Sequence, residues 1–130
     1  PKTVDPKQIF KLMMGLVLSP EFIARERDWL RAMRDRVLPN LSVEGFVAQM
    51  AATMAHDATA ELGRIEAPTL ILKPAADQLI PPRASDELAR LIPGAQLVTF
   101  DHGSHGFNVE QADKFNRAVL AGFSQHPPDD

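Results

Sequence analysis

No cysteine occurs among the 130 residues, which excludes disulfides, thiolate metal sites and a thiol nucleophile, though it does not fix the compartment. Serine is present, yet none of Ser19, Ser42, Ser85, Ser104 and Ser124 stands in a Gly-x-Ser-x-Gly turn. No strained strand-to-helix elbow that would expose a serine hydroxyl is therefore encoded. Excess charge is also scarce: a formal net charge of -3 gives neither the basic footprint of a nucleic-acid binder nor an acidic tail. Long apolar runs are missing as well. The run from Leu12 to Leu18 falls far short of the roughly 20 residues a membrane span needs. Lys2, Lys7 and Lys11 precede that run as in a signal peptide, but Ser19-Pro20 follows, a helix start and not a small-x-small cleavage site. A cytoplasmic location with neither nucleic acid nor membrane as partner is expected. No internal repeat or low-complexity stretch interrupts the chain.

What the chain does contain has two textures. Residues 1–62 read as helix throughout. Ile9, Leu12, Met13, Leu16 and Val17 recur with the 3.6-residue period of a helix from Pro6 to Leu18. Ser19 is placed to cap a second helix with Pro20 at its first position, where the missing N–H is not needed. That helix carries Phe22, Ile23, Trp29, Leu30 and Met33 on one stripe, with Arg25, Arg27, Arg31 and Arg34 interleaved, and ends at Pro39. Ser42 caps a third helix with Phe46, Val47, Met50 and Met54 on one side, and Asp57 caps a last short turn from Ala58 to Leu62. Such stripes of methionine and aromatic residues pack a core, or in a lid they roof an apolar pocket.

Residues 63–125 change period. Pro68 opens a strand, Thr69 to Lys73. Pro81-Pro82 open a helix with Leu88, Leu91 and Ile92 on its buried face, stopped by Pro93-Gly94. Gln96 to Phe100 form a second strand. Asn108, with Gln111 three residues on, makes a capping box for a final helix that turns Phe115, Val119, Leu120 and Phe123 inward. Strand, helix, strand, helix predicts a parallel βαβ unit, right-handed by the usual rule. The tail, 126–130, is expected to fray.

Two loops of this second part carry titratable groups beyond the carboxyl ends of neighbouring strands, where open parallel sheets place their sites. One holds Asp77, the other the phrase Gly103-Ser104-His105-Gly106. Taken singly, Asp77 reads equally as a turn carboxylate capping the helix at Pro81, and His105 as an ordinary loop histidine. His102 competes as a base only weakly, since it falls at the strand end. His56 beside Asp57 lacks further ligands at metal spacing, and Asp86-Glu87 and Asp129-Asp130 read as solvated charges.

The ordered phrases decide between these readings. Ile65-Glu66-Ala67-Pro68-Thr69-Leu70-Ile71-Leu72, then Asp77, then Leu88-Ala89-Arg90-Leu91-Ile92-Pro93-Gly94-Ala95, then Gly103-Ser104-His105-Gly106 closely resemble the C-terminal part of the α/β-hydrolase fold family. Asn108-Val109-Glu110-Gln111 and Phe115-Asn116 resemble its closing helix. The helical first part resembles the lid inserted before the family's second-last strand. One departure stands out: the family's acid loop usually begins with glycine where this chain has Pro74, which fixes φ, removes a donor and so can shift the loop carrying Asp77.

The resemblance implies an α/β fold: a helical cap followed by the βαβα end of a hydrolase parallel sheet, incomplete as a domain on its own. It implies that Asp77 orients His105, that His105 acts as general base and acid, and that no cofactor or metal takes part. The nucleophile and oxyanion hole would lie on an absent N-terminal segment, leaving this chain inactive alone. The implied partner is that missing hydrolase half, or a second copy of the chain. The implied substrate of the complete enzyme is a small apolar ester, lactone or related acyl compound. The alternative is a non-catalytic binding or assembly module that keeps remnants of the fold. Two parallel strands are in any case too few for an independently stable sheet.

Overall fold

The computed structural model describes residues 5–125; the expected frayed tail, 126–130, and Lys2 lie outside the described residues. The chain divides into two compact units between Asp57 and Ala58. The boundary expected after Leu62 thus falls inside the second unit, because the 3₁₀ turn Thr59–Arg64 packs on a helix of that unit.

The first unit is helical, and its helices begin where capping chemistry directs. In α1 (Pro6–Val17) the Asp5 carboxylate accepts from the Lys7 N–H at 2.9 Å, and Pro6 fills the first helical position. Ser19 Oγ accepts from Phe22 N–H at 3.2 Å to start α2 (Pro20–Arg25). Ser42 Oγ accepts from Gly45 N–H at 3.0 Å to start α4 (Val43–Ala55). Each side chain satisfies an amide that the helix itself leaves unpaired. Ile9, Leu18 and Phe22 form the buried centre.

The second helix does not run unbroken to Pro39 as expected. Glu26, at φ −103° and ψ 39°, ends α2 and starts α3 (Arg27–Val37), which tightens into a 3₁₀ turn at Leu38–Asn40. No proline or glycine between Pro20 and Pro39 announces this bend. Its reason is packing: Phe22 and Trp29 meet edge to face with ring centroids 5.7 Å apart. On a straight helix residues seven apart stand about 10 Å apart along the axis.

The second unit holds β1 (Leu70–Pro74), α5 (Arg83–Leu91), β2 (Gln96–Phe100), α6 (Phe107–Glu110) and α7 (Ala112–Gln125). The two strands are parallel, with Leu70 opposite Gln96 and Pro74 opposite Phe100. Gly94 makes the turn between α5 and β2 at φ +70°, a conformation glycine adopts without a Cβ clash. Lys73 reaches from β1 to the Asp86 carboxylate of α5 at 2.6 Å and 2.7 Å. On the other face Gly122 of α7 lies against Leu70.

The core of this unit sits under the carboxyl end of the sheet. Phe100 is fully buried, with the Phe107 ring 4.7 Å away and Phe115 5.5 Å beyond that. Two expectations fail here. Asn108 does not cap a long final helix: α6 begins earlier, with Gly106 at its head, and a break at Gln111 separates it from α7. Burying Phe107 on Phe100 pulls the chain into a helical turn one residue before Asn108. Nor do Leu120 and Phe123 face inward, being 64% and 70% exposed. Leu88 is only partly covered, at 37% exposed, while Ile92 is buried. Periodicity had placed these side chains on one face without saying what covers it.

Candidate functional site

Strand β1 delivers its loop directly against the loop that follows β2. The Ala75 N–H donates to Phe100 O and the Ala76 N–H to Gly103 O, each at 2.9 Å. The Gly103 N–H turns back to Phe100 O, also at 2.9 Å. These bonds fix the backbone one residue before Asp77 and two residues before His105.

The Pro74 departure leaves the pairing of the two loops intact. Gln96 N–H donates to Thr69 O and Ala75 N–H to Phe100 O, so alternate residues of β1 turn their polar groups toward β2. Pro74 falls on the other phase, and its missing N–H removes no bond from this ladder. Its ring instead packs where Gly103 approaches. A methyl group on Gly103 would lie 3.0 Å from Phe100 Cβ, 3.1 Å from Pro74 Cβ and 3.2 Å from Phe100 O.

We expect Gly103→Ala to push the two loops apart and lower stability by about 1–3 kcal/mol, read as a shift in the urea midpoint. Gly122→Ala is the control. Its methyl meets the flexible end of Leu70 at 2.8 Å, which a rotamer change relieves, so its midpoint should move much less.

Asp77 is held from three directions. Oδ1 accepts from Leu79 N–H at 2.8 Å and from Ile80 N–H at 2.9 Å, the aspartate turn that short acidic side chains favour. Oδ2 lies 2.9 Å from Nδ1 of His105. The Asp77 side chain is 4% exposed, that of His105 37%. With two amides already donating to its carboxylate, Asp77 meets the imidazole as an acceptor, so Nδ1 carries the proton. Nε2 then holds the lone pair, with no partner among the described residues. The arrangement can take a proton at Nε2, return it, and balance the imidazolium through Nδ1.

The structure brings Asp77 and His105 together. His102 is exposed two residues beyond β2, and no hydrogen bond joins it to Asp77 among the described residues. His56 ends α4, exposed, in the other unit. Among the described residues no three His, Asp or Glu side chains gather as a metal ion would require.

Two features of the site escaped the sequence reading. One is the pair of amides, Leu79 and Ile80, that pin the carboxylate; an aspartate two and three residues before them was the available signal. The other is Ser104, buried beside His105 with its Oγ unpaired among the described residues, a burial that no local pattern signals.

No family model matches the chain. Among curated proteins it is 31% identical over 108 residues to a putative carbamate hydrolase, RutD, of Pseudomonas syringae pv. syringae, a match covering 77% of this chain and 42% of that protein. Among solved structures it superposes on a hydrolase from Pseudomonas aeruginosa PA01 with TM-score 0.83 at 29% identity, covering 94% of this chain and 45% of that one. It superposes on the enol-lactonase from Burkholderia xenovorans LB400 with TM-score 0.85 at 28% identity, covering 95% and 46%. The chain thus spans less than half the length of each of these relatives.

Proposed function

We propose that this chain, which belongs to the α/β-hydrolase fold family as a partial domain, supplies the acid and the base of a hydrolytic triad. The observation that carries the reading is the 2.9 Å contact between His105 Nδ1 and a buried, doubly anchored Asp77. Asp77 fixes the tautomer and orientation of the ring. His105 Nε2 removes the nucleophile's proton as it attacks an acyl carbon, then gives that proton to the leaving group.

The nucleophile and the amides of the oxyanion hole belong to a segment outside these residues. In this fold the chain order is nucleophile, acid, histidine, and Asp77 precedes His105 with no elbow serine before either. The edge of β1 away from β2 supports a docking segment. Leu70 and Leu72 turn their N–H and C=O groups to that side, and no strand pairs with it among the described residues. An apolar hollow of about 370 Å³ beside it is lined by Pro68, Leu70, Leu72, Val119 and Phe123. A bare edge next to exposed apolar surface calls for a further strand with its covering side chains. The expected occupant is the missing hydrolase half; a second copy of the chain is the other candidate.

The substrates are small ester, lactone or related acyl compounds. This is supported by the names of the relatives, a putative carbamate hydrolase and an enol-lactonase, since carbamates and lactones are both acyl compounds. Native and denaturing mass spectrometry of one purified sample tests the docking. A second chain released only on denaturation is expected. A lone chain that unfolds in one sharp cooperative transition would contradict the need for a complementing segment.

The rival reading is a binding module that retains the fold without the chemistry. His105→Ala separates the two: a catalytic half loses the activity of its complex, whereas a binding module keeps its partner affinity and had no activity to lose.

A further inference from the structure

A second site lies within the helical unit, and none of its lining residues belongs to the unit that holds Asp77 and His105. Between α1 and the α2–α3 bend runs a groove of about 490 Å³, within the size range of small-molecule pockets. Its floor is apolar, made by Phe10, Met14, Ile23 and Leu30. Among the described residues its rim is cationic: Lys7 and Lys11, one turn apart on α1, stand across from Arg31 and Arg34 of α3. The two arginines have acidic partners, Arg31 with Asp28 and Arg34 with Asp35. Lys7 and Lys11 form no ion pair among the described residues. An apolar trough with two uncompensated ammonium groups on its lip is complementary to one chemical class, an anion with a short hydrocarbon tail.

We propose that this groove binds an amphiphilic carboxylate. The alkyl chain lies along Phe10, Met14 and Leu30, removing apolar surface from water. The carboxylate meets Lys7 and Lys11, whose long stems let the heads follow it. A neutral amphiphile of the same length gains the first contribution only.

Octanoate is the probe and octan-1-ol the neutral comparator, each titrated into the full chain by calorimetry. The only tryptophan, Trp29, precedes Leu30 on α3 and gives an independent fluorescence signal. Saturable octanoate binding is expected, about fivefold or more tighter than octan-1-ol, and weakening as salt rises. The double variant Lys7→Gln, Lys11→Gln should weaken octanoate about fivefold and leave octan-1-ol unchanged.

Gly15→Glu is a second, independent variant. Gly15 lines the groove and has nothing within 4 Å of where its Cβ would stand. The new carboxylate should therefore repel octanoate without disturbing a helix that glycine only weakens. Equal affinity for octanoate and octan-1-ol, absence of saturable binding, or either variant binding octanoate as the unmodified chain does, each overturns the proposal. The comparison of the two ligands on the unmodified chain holds whatever the variants do. None of these readouts involves ester hydrolysis, so the site stands or falls apart from the triad.

Discussion

His105→Ala in the complete hydrolase, this chain together with the segment bearing the nucleophile, should lower kcat by about 10⁴ to 10⁶ with little change in KM. The ring lies 2.9 Å from Asp77 with its other nitrogen unpartnered among the described residues, so the loss falls on proton transfer and not on substrate binding. Its imidazole is part-exposed, but removing it leaves Oδ2 of the buried Asp77 carboxylate without its partner. The urea midpoint should therefore fall by the equivalent of about 1–3 kcal/mol, with the variant still folded. Steady-state kinetics on an ester, with the urea midpoint measured beside it, checks both halves of the prediction. A residual rate within tenfold of the parent would remove His105 from the chemistry.

Asp77→Asn should cost about 10⁴ in kcat, for a different reason. The amide retains an oxygen to accept from Leu79 and Ile80, so the loop keeps its shape. At the other position, where Oδ2 now faces Nδ1, it presents an NH₂ group. A donor facing Nδ1 favours the tautomer protonated at Nε2, which cannot accept the nucleophile's proton. Asp77→Ala, by contrast, frees the Leu79 and Ile80 amides as well and should lower stability as well as activity. Nitrogen-resolved NMR of the ring checks the mechanism directly: the proton should sit on Nδ1 in the parent chain and on Nε2 in Asp77→Asn. If Asp77→Asn leaves kcat intact, the acid is another residue.

Much of this was legible in the sequence because the signals were local. The 3.6-residue apolar period starts α1 at Pro6, and Ser19-Pro20 starts α2, where expected. Parallel pairing of the two strands follows from the helix between them. The resemblance of the ordered phrases to the α/β-hydrolase fold family implies that Asp77 and His105 meet, and they stand 2.9 Å apart.

The misses share a cause. The bend at Glu26 arises from Phe22 meeting Trp29, and the early start of α6 from Phe107 meeting Phe100. Both are tertiary contacts that override a permissive helical sequence. The consequence of Pro74 depended on which phase of the strand it occupied, and a shift of one residue would have reversed it. The period of Leu120 and Phe123 predicts an inward face, yet they are exposed. A period names a face, and only a partner buries it.

The most direct test of the central claim is the time course of p-nitrophenyl acetate hydrolysis by the verified chain alone. An acid and base without a nucleophile or oxyanion hole should give a slow, linear release no faster than an exposed imidazole produces, insensitive to Asp77→Asn. A burst of nitrophenolate followed by saturable turnover, lost in His105→Ala, would show that the chain carries its own nucleophile and contradict the account.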